Sequence, residues 1–208
     1  MDDIISSFRT DPRAVAQRRL ARSYAWKFTA RQKMDRQVAV LFEFDLFKGK
    51  RGKRLLAVVE GTSKQVAGRF RIYDYHYFGD LGKTSTSVLE YCNPELHLSP
   101  FGIWPKGLLN TFKEFFISPE LLFATTPEFD ERYRIDAEDS AAIKLDLNED
   151  FLDEVGDEAG WIYEGRKDCL IAYQPGKLFP IDHTAPLFER FERMCERLVN
   201  GHSNAEFV

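Results

Sequence analysis

The chain reads as a single α+β domain: a twisted, mainly antiparallel sheet covered by a C-terminal amphipathic helix and shorter helices. Three observations carry that expectation. Segments of alternating polarity between Val38 and Tyr91 are separated by glycine turns, the pattern of an antiparallel meander. Leu187, Phe188, Phe191, Met194, Cys195 and Leu198 fall on one helical stripe near the end of the chain, which marks a core-facing helix. Hydrophobic residues make up 44% of the 208 residues, with 18 Phe among them, enough to bury a sizeable core.

The elements follow in order. Asp11-Pro12-Arg13 predicts a helix start, Asp11 as N-cap and Pro12 at the first helical position, running to about Tyr24. Residues 1–36 therefore read as a basic helical segment, 37–201 as the α+β domain and 202–208 as a flexible tail. Val38, Val40, Phe42, Phe44 and Leu46 alternate with Ala39, Leu41, Glu43 and Asp45, which predicts a half-buried strand. A basic turn, Lys48 to Arg54, joins it to a second strand, Leu55 to Gly61. Val66 to Phe78 and Lys83 to Tyr91, joined across Gly79–Gly82, complete four strands. Leu96 to Leu98 adds a short strand that Pro100 and Pro105 interrupt.

Leu108, Leu109, Phe112, Phe115 and Phe116 are at helical spacing. Phe129 to Ile135 predicts a strand, and Asp139 to Phe151 one or two helical turns. Gly160–Glu164 and Asp168–Tyr173 predict a closing hairpin. In the last helix Thr184 is the expected cap, Pro186 sits in the first turn, and Gly201 is the expected stop.

The strand around Asp74 carries the most chemistry. Phe70, Ile72, Asp74, His76 and Phe78 share one face; Arg69, Arg71, Tyr73, Tyr75 and Tyr77 share the other. A carboxylate in line with Phe70 and Ile72 has to be paired, hydrogen-bonded or exposed at a strand end. Asp74 and His76 form a candidate ligand or general-base site, with Arg69, Arg71 and Tyr75 as further ligand-binding candidates. A register-fixing ion pair is the simpler reading of Asp74.

Charge is unevenly spread. Arg9 to Arg54 holds 14 basic against four acidic residues, a local balance of +10, whereas Ser118 to Asp168 holds 16 acidic against five basic, or −11. Such asymmetry points to an electrostatic partner. Lys48, Lys50, Arg51, Lys53 and Arg54 are the candidate partner-binding residues. The simpler alternative has the two regions facing each other or solvated.

The net charge of −4 disfavours nucleic acid. Gly49-Lys-Arg-Gly52 matches a nucleotide clamp only outside its helical setting, and it is no phosphate loop. His76, His97, His183 and His202 never recur at metal-ligand spacing, so no metal and no cofactor is expected. Enzyme activity is open but disfavoured, because no nucleophile motif occurs.

Cys92, Cys169 and Cys195 are odd in number and far apart, which predicts reduced thiols and a cytoplasmic location. No apolar run reaches bilayer length and the start has no secretory pattern. The basic Arg9–Arg36 segment leaves peripheral membrane contact open. Oligomeric state has no signature.

A series of motifs carries a resemblance. Ala25-Trp26-Lys27-Phe28 precedes the first strands, followed by Val58-Val59-x-Gly61-Thr62, Gly68-Arg69 and Ile72-Tyr73-Asp74-Tyr75-x-Tyr77. Leu96-x-Leu98-x-Pro100, Pro127-Glu-Phe129-Asp-Glu-Arg-Tyr133 and Asp136-Ala-Glu-Asp139 come next. Over roughly Ala21 to Val199 the order resembles an uncharacterised bacterial and archaeal family of soluble domains, often membrane-tethered by N-terminal apolar helices. The resemblance implies no activity and no catalytic residues. This chain differs in showing no such anchor and in a longer Gly61–Gly68 stretch. The leading expectation is a non-catalytic binding or adaptor module for a protein partner. The second is a small-molecule sensor or enzyme with a cleft at Asp74 and His76.

Overall fold

Alternation along the chain builds one eight-stranded sheet, and two unlike layers bury its faces. The computed structural model describes residues 11–34, 36–79, 82–107 and 127–205. The strands are β1 (Lys27–Gln32), β2 (Arg51–Thr62), β3 (Arg69–Gly79), β4 (Gly82–Cys92), β5 (Leu98–Pro105), β6 (Tyr133–Ala137), β7 (Ile162–Lys167) and β8 (Cys169–Tyr173). They lie in the order β1-β2-β3-β4-β8-β7-β5-β6, and every neighbouring pair is antiparallel. A meander, β1 to β4, is thus joined to a second half at the β4–β8 seam.

One face is covered by helices. They are α1 (Pro12–Ser23), α2 (Pro127–Arg132), α3 (Ser140–Asp146), α4 (Glu149–Gly156) and α5 (Thr184–Ala205). Phe70, Ile72 and Leu89 of the sheet share this cluster with Phe151 of α4 and Phe188, Phe191, Met194 and Leu198 of α5. Each such buried side chain contributes roughly 1.5–3 kcal/mol of transfer free energy. The α5 stripe is therefore core, as its spacing predicts. Asp11 caps α1 by accepting from the Arg13 amide at 3.0 Å, with Pro12 first in the helix.

The other face is covered by two 3-10 helices, Arg36–Glu43 and Asp45–Phe47. This corrects the strand expected from Val38 to Leu46. The apolar residues of the segment are buried at a helical step: Leu41, Phe44 and Phe47 pack onto Leu55, Tyr73, Tyr75 and Ile171. The amides of Asp45 and Leu46 donate to the buried carboxylate of Glu164 at 2.6 and 3.1 Å, which holds the second turn in place. Burial raises the pKa of Glu164 above the ordinary carboxylate value, because low dielectric disfavours its charge. The neighbour of β2 on that side is β1, drawn from residues expected to be helical.

Other expectations are corrected by tertiary context. Residues 127–132 form a turn of helix before β6 begins at Tyr133. β5 runs through Pro100 and ends on Pro105, and a register irregularity between Leu98 and Phe101 accommodates the first proline. Gly201 does not end α5, which continues to Ala205. The Asn148 side chain occupies the space a Cβ at 201 would need, so the glycine serves close helix approach. Thr184 is the first helical residue, and its hydroxyl donates to the Pro180 carbonyl at 3.2 Å. The expected helical run Leu108–Phe116 and residues 206–208 of the expected tail lie outside the described residues.

Candidate functional site

β3 delivers its charged side chains into three different settings. On the helical face, Asp74 is 3% exposed and lies beneath α1. Arg13 Nε and Nη2 both donate to it at 2.9 Å, and the Ser87 hydroxyl donates at 2.5 Å. Arg13 also donates to the Phe179 carbonyl at 2.7 Å. A two-pronged guanidinium–carboxylate pair of this kind is geometrically specific. It ties α1, β3, β4 and the loop between β8 and α5 into one knot. The pairing that the apolar company of Asp74 demands is therefore met by Arg13.

On the opposite face Arg71 and Glu90 are 2% and 1% exposed. Arg71 Nη1 reaches both Glu90 oxygens at 3.1 Å, Nη2 donates to Gln32 at 2.8 Å, and Nε lies 3.3 Å from Glu60. Arg69, closer to solvent, lies 3.7 Å from Glu90. Arg69 and Arg71 line a bay of about 280 Å³ with Lys27, Thr29 and Gln32. Tyr75 is fully buried against Phe47, away from that bay. Burial also lifts its phenol pKa.

The third setting is a groove of about 330 Å³ at the far end of the meander. Arg31 of β1, Arg54 of β2, His76 and Phe78 of β3, and Lys83 of β4 line it. The structure thus brings His76 to an open groove that Asp74 does not line. Among the described residues no carboxylate lines it, and no ion pair involves Arg31, Arg54 or Lys83. The His76 Nδ1 lies 3.2 Å from the Ser85 hydroxyl. Burial lowers its pKa, Asp74 opposes that, and Lys83, Arg13 and Arg54 add to it. Phe78 is 52% exposed, next to Gly79, which pairs with Gly82 across β3 and β4. Its ring lies over Gly52, which has φ +62 and no room for a Cβ.

The basic Lys48–Arg54 run is not a hairpin turn but the lead into β2. Lys48 pairs with Asp45 at 2.6 Å. Lys50 lies over the Tyr77 ring at 5.5 Å and Lys53 over Phe42 at 4.8 Å, contacts worth about 0.5–1 kcal/mol at exposed sites. Arg51 and Arg54 sit opposite Phe78 and His76 in the β2–β3 register.

Two acids of the acidic stretch find their cations on α5. Glu154 and Glu158 pair with Arg190, and Glu154 also with Arg193 and Arg197 of α5. Across the molecule, Lys167 pairs with Glu43 and Arg166 with Asp45. A cavity of about 580 Å³ lies near these last residues and is lined by Glu43, Asp45, Asp136, Glu138 and Arg166, among others.

The thiol expectation is corrected. Cys92 and Cys169 form a disulfide across the β4–β8 seam, and only Cys195, buried in the helical core, is free. The Asn93 amide donates to the Asp168 carbonyl at 2.8 Å. That makes 92 and 169 a non-hydrogen-bonded pair, the position where facing side chains come closest. A separation of 77 residues hides this from spacing rules. Disulfides belong to oxidising compartments, so this bond weighs against the cytoplasmic expectation. No described helix is long and apolar enough to cross a membrane.

The residues missed by sequence reasoning are Arg13, Arg31, Lys83 and Glu90. The local strand pattern places Asp74 and Arg71 but names no partner across the sheet.

Comparison with known proteins adds fold information. No family model matches the chain, and no curated protein matches it. The crystal structure of the mycobacterial trehalose monomycolate transport factor A, TtfA, superposes with a TM-score of 0.60 at 11% identity, covering 94% of this chain and 96% of that one. At such identity the likeness establishes a shared α+β architecture.

Proposed function

We propose that the chain is a non-catalytic binding module that engages an acidic protein partner through the cationic end of its meander. The observation that carries this reading is the groove itself. Arg31, Arg54 and Lys83 converge there with no counter-charge among the described residues, while Arg13 of α1 and Arg71 of β3 are neutralised internally. Like charges held together at a surface disfavour the compact state, and a partner carrying carboxylates relieves that repulsion. Phe78 supplies an apolar contact beside the cations. A transport factor of similar architecture supports a role in an assembly rather than in a reaction.

The test combines neutralisation with salt. Changing Arg31, Arg54 and Lys83 to Gln should abolish a salt-sensitive interaction and leave the circular dichroism spectrum unchanged. Neutralising Lys48, Lys50, Arg51, Lys53 and Arg54 should weaken it less, because Lys48, Lys50 and Lys53 already have contacts within the chain. Undiminished partner binding in the first variant sinks the reading. Compartment is tested separately by thiol counting. One free thiol in the unfolded, unreduced protein places the chain on an oxidising side, and three restore the cytoplasmic expectation.

A further inference from the structure

The outermost strand of the meander adds a second element to the cationic end. β1 closes its side of the sheet, and no backbone hydrogen bond among the described residues reaches its outer edge. A free edge is a row of unpaired N–H and C=O groups, a template for another strand. Its sequence, Lys27-Phe-Thr-Ala-Arg-Gln-Lys33, has three cations and no acid. A second copy of β1 would set like charges opposite one another, which is destabilising across strands. The edge therefore discriminates by charge against itself and in favour of an acidic strand.

Two cavities flank that edge. Lys27, Thr29 and Gln32 line the Arg71 bay, whereas Arg31 lines the groove shared with Arg54 and Lys83. Successive side chains of an added strand point to opposite faces. On one face they meet Lys27 and Arg69, and on the other Arg31 and the groove cations. Main-chain bonding would give affinity, and the groove cations selectivity, with Lys27 adding to them at the bay that Glu60 also lines, the division of labour of strand addition.

We infer that the partner presents an extended acidic segment that adds to β1 as a ninth strand. The inference rests on the acidic-partner reading above and names how the partner binds. The test uses a ten-residue peptide of alternating Glu and Val, with a Lys–Val peptide as control, added at low salt to isotope-labelled protein. Amide exchange at residues 27–32 is the readout. The Glu–Val peptide should slow the outward-facing amides of β1 by about tenfold or more, and the Lys–Val peptide should leave them unchanged.

Lys27→Glu/Arg31→Glu should reverse the preference. If that double variant does not fold, Arg31→Gln should weaken protection by the Glu–Val peptide. A peptide that shifts Arg54, His76 and Lys83 resonances without slowing β1 exchange overturns strand addition while the acidic-partner reading stands. No binding of the Glu–Val peptide, or its displacement by anionic phospholipid vesicles, overturns the proposal. Failure of the groove-neutralisation test instead removes the reading beneath it.

Discussion

Arg71 and Arg31 belong to one sheet, yet the protein treats their charges in opposite ways. Arg71 is buried and surrounded by Glu90, Glu60 and Gln32. Arg31, with Arg54 and Lys83, stands at an open groove where no described residue contributes a carboxylate. Burial of a cation is tolerable only when its partner is held in place, since each desolvated charge costs several kcal/mol. An exposed cation is cheap to keep and free to attract something else. The difference separates charges that hold the fold from charges that are available to a partner.

Removing one side of a buried pair breaks this contrast most severely. Glu90→Ala leaves Arg71 uncompensated and should cost about 3–5 kcal/mol, read as a fall in the urea midpoint. The double change Arg71→Met/Glu90→Leu should recover most of that loss.

Asp74→Asn comes next. It leaves Arg13 without its carboxylate, but Arg13 keeps the Phe179 carbonyl and partial access to water. The expected cost is about 2 kcal/mol, again by urea titration. A larger cost would place Asp74 in the class of Glu90.

The groove triple variant Arg31→Gln/Arg54→Gln/Lys83→Gln sharpens the comparison from the other side. Its stability should change by no more than about 0.5 kcal/mol, because no ion pair among the described residues is lost. A large destabilisation would assign these cations to the fold.

The smallest effect concerns pH. Burial depresses the His76 pKa in the folded chain, so the unfolded chain binds the proton more readily. Stability from this group is therefore full above the unfolded value of about 6.5 and is lost as pH falls below it. His76→Gln should flatten that part of the acid limb in melting curves taken between neutral and mildly acid pH. An unchanged limb would mean that His76 is hydrated like an exposed histidine.

What the sequence makes legible follows from distance along the chain. The strands around Asp74 and Leu89, the hairpin of β7 and β8, and the α5 stripe are periodic over short stretches, and they form as expected. The Val38–Leu46 segment misleads because two patterns overlap in it. Its every-second-residue alternation suggests a strand, but Leu41, Phe44 and Phe47 also recur at every third position. The deciding contact is Glu164, more than a hundred residues away. The candidate site divides in the same manner. Asp74 and Arg71 are visible as out-of-place charges on a patterned strand. Arg13, Glu90 and the convergence of Arg31 with Lys83 depend on the strand order, which local periodicity does not encode.

The Cys92–Cys169 bond turns the span between these residues into a closed ring, with β5, β6, α2, α3, α4 and β7 inside it. Tension applied to the two ends of the chain passes from Cys92 to Cys169 through sulfur and bypasses that ring. A 77-residue span at about 3.5 Å per residue therefore withholds roughly 270 Å of contour length from an extending force. A module anchored at one end and pulled through the other would keep its second half looped out of the line of load, while the β1–β4 meander and α5 bear it.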